Sequence, residues 1–324
     1  MSTPEPTRRP TLKPTANPTC DEPLIVVCVG NSITAGSQSE CEDPCDERFG
    51  DESGRGGGYS YPANLAILLA RDPSMAISSF TTASITDAER EALYANSYVL
   101  FRDGDDIDTS EPNDDIHVSV FSADPSKAIV YNLGHSGRTL TDLQQYSSYW
   151  KFDFLTNSGD NAQLVRVDDE TYESIQPWDA AVVMLGTNDA KDDADVEESE
   201  FNDDMTDLLA GMLDTAKSIE QSTIFLGTVP PRETDEVEDG WDDFDYDLLR
   251  FTIPNWIRTY AATYSLPVIE FHDVIASGFE DGDYNTENAF LSDGLHPNND
   301  GYLAMAVEAA GDLATYFETN PPLC

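Results

Sequence analysis

Five apolar runs recur along the chain without strict alternation of apolar and polar residues. They are residues 24–29, 128–133, 180–185, 223–229 and 267–271. Continuous Val/Ile/Leu runs are typical of strands that are buried on both faces of a sheet. The pattern therefore predicts five core strands.

Helical patterns lie between these runs. Residues 62–70 begin with a proline at a first-turn position, and residues 200–219 place apolar side chains close to the 3.6-residue period. Residues 252–264 and 300–317 follow the same pattern. Alternation of strands and helices predicts an α/β fold, in which helices cover both faces of a parallel sheet.

Three segments depart from this plan. Residues 1–21 are rich in Pro and Thr and lack the apolar core of a signal peptide, so we expect a poorly ordered linker. We expect residues 22–324 to form a single domain. Residues 40–58 form a Gly/Asp/Cys-rich loop, which we interpret as an insertion. Residues 76–126 are too long for a simple crossover, and we interpret them as a second insertion, at the periphery of the sheet.

Charge restricts the partners of the protein. The 324 residues include 62 acidic and 17 basic ones, giving a net charge of −45. Nucleic acids and anionic membranes require basic surface, so neither is expected as a partner. No run of 18 apolar residues is present, so no transmembrane helix is expected. We expect a monomer, although the sequence leaves the oligomeric state open.

The five cysteines indicate the compartment. Cys28 lies inside an apolar run and is expected to be a buried thiol. The other four allow three pairings, of which we favour Cys20–Cys324 and Cys41–Cys45. Disulfides and the linker both fit a secreted protein, with its signal peptide outside this sequence.

Several acidic runs raise the alternative of calcium binding. They are residues 103–115, 189–200, 233–247 and 281–288. None has the glycine and glutamate spacing of an EF-hand loop, so we interpret them as solvated acidic surface. We expect neither a metal nor another cofactor.

Reactive side chains follow the predicted strands. Ser32 follows the first, in "GNSIT"; "NLGHSGRT", "LGTNDAK" and "SDGLHPN" come later in the chain. An open parallel sheet binds ligands at the carboxyl ends of its strands, so these segments are expected to meet there. Ser32 could be a nucleophile or merely a helix N-cap.

A nucleophilic serine needs a base that takes its proton. His296 lies three residues after Asp293, a spacing that lets the carboxylate hold Nδ1–H and leaves Nε2 to accept a proton. The backbone N–H groups of Ser32 and Gly137 and the amide of Asn188 are candidate oxyanion donors. Gly137 could instead be a turn glycine, and Asn188 an Asx-turn residue.

Four further residues are weaker candidates for substrate contacts. They are Asn31, His135, Arg138 and Trp150. His135 could line the cleft or serve the structure. Arg138 could bind a substrate oxygen or pair with an acid, and Trp150 could stack on a sugar ring or belong to the core.

The four segments together resemble the SGNH/GDSL esterase–lipase superfamily, with Ser32, Gly137, Asn188 and His296 in its motif positions and Asp293 as the acid. The wording of "GNSITAG", "MLGTNDAK" and "DGLHPN" is most similar to its carbohydrate O-acetylesterase branch, including sialate-type enzymes. Asn31 stands where many members have aspartate. The resemblance implies a flavodoxin-like three-layer α/β/α sandwich and no metal or organic cofactor.

The resemblance implies a serine esterase that removes short acyl groups, chiefly acetyl, from carbohydrate, as a small molecule or a polysaccharide ester. A lipid or aryl esterase with the same site is one alternative. A non-catalytic glycan-binding module is another, which an intact Ser–His–Asp set argues against, because binding alone requires no such set.

Overall fold

A nine-stranded sheet forms the centre of the described chain in this computed structural model. The structure describes residues 22–37, 58–71, 84–102, 117–140, 164–166, 172–173, 176–191, 196–213, 216, 222–233, 244–283 and 288–321. The strands are β1 (Leu24–Gly30), β2 (Tyr98–Arg102), β3 (His117–Phe121), β4 (Ala128–Gly134), β5 (Leu164–Arg166), β6 (Tyr172–Glu173), β7 (Ala180–Met184), β8 (Thr223–Gly227) and β9 (Val268–Ile269). Their order across the sheet is β6-β5-β2-β3-β4-β1-β7-β8-β9.

The parallel part of the sheet consists of β4-β1-β7-β8-β9. It coincides with the five predicted runs and has the 2-1-3-4-5 order of flavodoxin-like sheets. The α/β prediction is therefore confirmed.

The remaining strands correct the expectation of a wholly parallel sheet, because β3, β2, β5 and β6 pair antiparallel. Only residues 122–127 join β3 to β4, and a connection this short permits antiparallel neighbours but not a parallel crossover. The 76–126 insertion supplies β2 and β3, which extend the sheet beyond β4.

Helices cover both faces of the sheet. They are α1 (Ser32–Ala35), α2 (Tyr61–Ala70), α3 (Asp87–Asn96), α4 (Glu198–Leu213), α5 (Ile253–Tyr264), α6 (Phe271–Ala276) and α7 (Asn299–Thr319). Alternate residues of β1 enter opposite cores: Val27 and Val29 pack in the cluster containing α4 and α5, whereas Val26 and Cys28 pack in the cluster containing α2, α3, α6 and α7. The result is the expected three-layer sandwich.

Several expectations fall on residues outside this description. The 1–21 linker, most of the 40–58 insertion and four of the five cysteines lie there, so the linker and the disulfide pairing stay predictions. Cys28 is a buried free thiol, as predicted, and burial raises its pKa to about 12. Among the described helices, none is long and apolar enough to cross a membrane.

Asp312 on α7 provides a stability prediction. Burial, together with the charges of Glu308 and Glu270, raises the pKa of its carboxyl from 3.8 to about 6. A folded-state pKa above the unfolded one means that ionisation opposes folding: the stability contributed by this group is fully present below the unfolded pKa and is lost as pH rises through about 6. Above that pH, ionisation of Asp312 therefore lowers the free energy of unfolding of the wild type.

We expect Asp312→Asn to raise the free energy of unfolding near pH 8 by about 1 kcal/mol, after allowance for partial exposure. Near pH 4 this difference should be much smaller, because Asp312 in the folded protein is then largely protonated. Urea denaturation at the two pH values measures both differences. An equal effect of the substitution at both pH values would contradict the prediction.

Candidate active site

Ser32 lies at a tight turn from β1 into α1. Asn31 is the N-cap of α1, since its Oδ1 accepts a hydrogen bond from the Ile33 backbone N–H at 3.0 Å. Ser32 is thus the first helical residue, and the alternative that it serves as the N-cap is wrong. A Cβ at Gly30 would overlap the Thr34 side chain and the Met184 carbonyl, so the turn requires glycine there.

The loop before α7 presents His296 to this serine. Nε2 of His296 lies 3.0 Å from Oγ of Ser32, and Nδ1 lies 2.8 Å from Oδ2 of Asp293. The other carboxylate oxygen, Oδ1, accepts the backbone N–H groups of Leu295 at 3.1 Å and of His296 at 2.7 Å. The three side chains that the sequence grouped therefore form one hydrogen-bonded chain, between residues 264 positions apart.

The environment keeps Asp293 ionised. Burial alone would raise its pKa, but hydrogen bonds from the His296 ring and from two backbone N–H groups outweigh burial and lower it below 3.8. A carboxylate at Nδ1 favours the tautomer with hydrogen on that nitrogen. Nε2 is then the ring atom able to accept a proton from Ser32.

Two loops beside β1 carry the candidate oxyanion donors. Gly137, in the loop after β4, has a φ of 77°, and no atom beyond its chain neighbours lies within 4 Å of where its Cβ would be. Asn188, in the loop after β7, donates from Nδ2 to the Arg138 carbonyl at 2.9 Å. The structure therefore joins the two predicted loops by a direct hydrogen bond, and the second N–H of Asn188 Nδ2 is left for another acceptor.

Asp189 is a residue of this region that the sequence analysis missed. Its side chain is fully buried, and both carboxylate oxygens accept the Leu140 N–H, at 2.9 and 3.0 Å. It therefore provides a second link between the loops after β4 and β7. The available signal was its position beside Asn188 in "LGTND", directly after a buried strand.

The structure describes three of the four weaker candidates for substrate contacts. His135 is buried at the end of β4, where its backbone N–H donates to the Gly30 carbonyl at 3.0 Å. Arg138 is half-buried beside Gly137, and Asn31 is fully buried under the serine turn. Trp150 lies outside the described residues. Its predicted contact with a sugar ring stays a prediction.

In the part of the chain that the structure describes, no group of three or more His, Cys, Asp or Glu side chains is placed to hold a metal ion. Most of the acidic runs at 103–115 and 233–247 fall outside that part.

The sequence profile of the GDSL-like lipase/acylhydrolase family matches residues 84–304. The chain therefore belongs to this family, and the predicted membership of the SGNH/GDSL superfamily is confirmed. The protein is a carboxylic ester hydrolase. The matched range contains Gly137, Asn188, Asp293 and His296 but begins after Ser32, so the assignment of the serine rests on geometry and on its own motif.

The chain is also similar to several solved structures of low identity. Est24, a carbohydrate acetylesterase from Sinorhizobium meliloti, is 15% identical, with 91% of this chain and 100% of that chain covered and a TM-score of 0.48. The native aryl esterase of M. smegmatis is 14% identical over 90% and 99% of the two chains, with a TM-score of 0.49. A catalytic mutant of Axe2, an acetylxylan esterase from Geobacillus stearothermophilus, is 15% identical over 91% and 95%, with a TM-score of 0.47. No curated protein sequence matches the chain.

Proposed function

We propose that the protein is a serine esterase that hydrolyses short acyl esters, chiefly acetyl, on carbohydrate. The observation that carries this proposal is the hydrogen-bonded chain from Asp293 through His296 to Ser32, with contacts of 2.8 and 3.0 Å. An ester is cleaved by such a chain without further reagents besides water.

In the acylation step, Oγ of Ser32 forms a bond to the acyl carbon while its proton passes to Nε2 of His296. Asp293 holds the imidazolium that results. The carbonyl oxygen becomes an oxyanion, to which the N–H groups of Ser32 and Gly137 and the amide of Asn188 donate. Collapse breaks the ester C–O bond, and the His296 proton passes to the departing alkoxide oxygen.

Deacylation repeats these steps with water. His296 takes a proton from the water as the water oxygen forms a bond to the acyl carbon. Collapse breaks the bond between the acyl carbon and Oγ of Ser32, and His296 returns the proton to Oγ. The products are the free acid and a regenerated serine. The same oxyanion donors serve both steps.

Restricted access supports a small acyl group. Ser32, Asn188 and His296 are only 6%, 6% and 5% exposed. A net charge of −45 disfavours an anionic lipid surface as the substrate phase. The motif wording that resembles carbohydrate O-acetylesterases supports the sugar component, and the Pro/Thr-rich N-terminal segment supports a secreted protein.

Hydrolysis of a nitrophenyl ester series, from acetyl to dodecanoyl, at low and high salt tests the proposal, followed by acetate release from acetylated glycans. We expect turnover that is highest for acetyl and falls with chain length. A preference for long chains would instead indicate a lipid esterase. Binding of glycans without any ester turnover would indicate the non-catalytic module.

Asn188→Ala gives a separate prediction for the oxyanion donors. Loss of one such donor should lower kcat by about 10²- to 10³-fold, because the developing negative charge loses a hydrogen bond that the ground state uses little. Affinity for a boronic acid, whose tetrahedral adduct mimics the intermediate, should fall with kcat. A fall in kcat with unchanged boronate affinity would contradict an oxyanion role for Asn188.

A further inference from the structure

The two sides of the loop that carries Asp293 and His296 are hydrogen-bonded to each other. Leu291 and Pro297 pair across it in an antiparallel bridge, and the Ser292 N–H donates to the His296 carbonyl at 2.9 Å. Its tip, Gly294, has a φ of 80°. Because the loop is fastened to itself, its contacts with the rest of the fold determine where it lies against Ser32.

Glu233 contacts this loop region at two points. Its backbone N–H donates to the Gly294 carbonyl at 2.9 Å, and its side-chain Oε1 accepts the Asn288 N–H at 2.6 Å. Gly294 directly follows Asp293, and Asn288 stands at the start of the loop. One residue from the segment after β8 thus holds the tip and the start of the loop at a fixed separation.

Asn288 connects Glu233 to the rest of the fold through its side chain. Its side-chain Nδ2 donates to the Ile275 carbonyl on α6 at 2.9 Å, and its Oδ1 accepts the Phe290 N–H at 2.8 Å. The Glu233 contact therefore connects β8, α6 and the loop of His296. A displacement of Asn288 would move the loop as one body, because the loop is closed at Leu291.

Burial of the Glu233 carboxylate is energetically unfavourable for a contact that is purely structural. It is 4% exposed, and burying a carboxylate costs several kcal/mol unless it is paired and hydrogen-bonded. The preceding Arg232, fully buried, donates from Nε to the Glu233 carbonyl at 3.2 Å and lies 4.2 Å from the centre of the Tyr246 ring. The hydrogen bond from Arg232 fixes the Glu233 backbone.

We propose that Glu233 is a positioning residue for the acid–base pair, acting through its bond to Asn288 to keep Nε2 of His296 within reach of Ser32. The inference rests on the proposed function. Small displacements of a catalytic base lower the rate of chemistry more than substrate affinity. The expected signature is therefore a fall in kcat with little change in KM.

Three variants distinguish the hydrogen bond between Glu233 and Asn288 from the negative charge of Glu233. Glu233→Gln keeps an acceptor oxygen at full length and removes the charge, whereas Glu233→Asp keeps the charge and shortens the reach. Glu233→Ala removes both. We expect kcat on nitrophenyl acetate, per titrated active site, to fall by about 10- to 100-fold in Glu233→Ala and Glu233→Asp, with Glu233→Gln close to wild type.

A matched control is Asp179→Ala. Asp179 is also buried and accepts a backbone N–H, from Ile25 at 2.9 Å, but it lies beside the amino-terminal ends of β1 and β7. This control should lose stability and keep its kcat per active site. The rate of Ser32 labelling by an aryl phosphonate, which needs the base but no acyl substrate, should fall in Glu233→Ala and not in the control.

Two results would overturn the proposal: a Glu233→Ala kcat within about threefold of wild type, or a Glu233→Gln kcat as low as that of Glu233→Ala. If Glu233→Ala does not fold, the comparison of Glu233→Gln with Glu233→Asp decides alone. A wild-type chain without ester turnover, observed before any variant is compared, rejects the proposed function and this inference with it.

Discussion

Replacement of Ser32 by alanine should abolish ester hydrolysis, lowering kcat by roughly 10⁵- to 10⁶-fold, as loss of a triad nucleophile does in other serine hydrolases. The reason is that Oγ of Ser32 lies 3.0 Å from Nε2 of His296 and is the atom that would form the acyl-enzyme. The fall should be the same for every acyl chain length that wild type accepts.

The variant should fold normally. The turn is held by groups that alanine retains or does not touch: the Asn31 cap to Ile33 at 3.0 Å and the Gly36 N–H to the Ser32 carbonyl at 2.9 Å. Thermal unfolding and glycan binding should therefore match wild type. Turnover in Ser32→Ala above about one-thousandth of the wild-type rate would contradict the assignment of the nucleophile.

Asp293→Asn should lower kcat by about 10³- to 10⁴-fold. An asparagine whose Oδ1 still accepts the Leu295 and His296 N–H groups would present its Nδ2 to the imidazole. Nδ1 of His296 would then have to accept, so that hydrogen moves to Nε2 and that atom can no longer take the serine proton. The ring stays in place while its tautomer is wrong.

Asp273→Asn is the matched control for this prediction. Asp273 is also an acid beside a buried histidine, with Oδ1 3.1 Å from Nδ1 of His272. The same substitution there should leave kcat within about twofold of wild type, since the structure pairs Asp273 with His272 and Arg258 and not with the chain of Asp293, His296 and Ser32. Steady-state kinetics of both variants with nitrophenyl acetate measure the difference. Similar losses in the two would contradict the specific role of Asp293.

The parallel strands were predictable because burial on both faces leaves a signal in each strand alone. β1, β4, β7 and β8 begin where the predicted runs begin. β2 and β3 were not predicted, because the long acidic segment that contains them was interpreted as a peripheral insertion, whereas they pair antiparallel and extend the sheet. The wholly parallel expectation failed for the same reason.

The candidate site was predictable to the extent that topology determined it. Segments at the carboxyl ends of parallel strands must meet, so Ser32, Gly137 and Asn188 could be grouped from the sequence. His296, in the loop before α7, joined them through its spacing from Asp293 and the motif resemblance. Asp189 and Glu233 could not be recognised in the same way. In a chain with 62 acidic residues a single carboxylate looks like solvated surface, and only the contact between loops reveals it as buried.

The hydrogen bond between Ser32 and His296 joins residues separated by 264 positions. Contacts between residues so far apart in sequence form late in folding, because the entropy cost of ordering the intervening chain must be met before the contact stabilises the protein. Enzymatic activity in this protein therefore reports completion of folding rather than its beginning. During refolding, helix content should recover before hydrolysis does, and a chain arrested before α7 docks would carry its serine without a base.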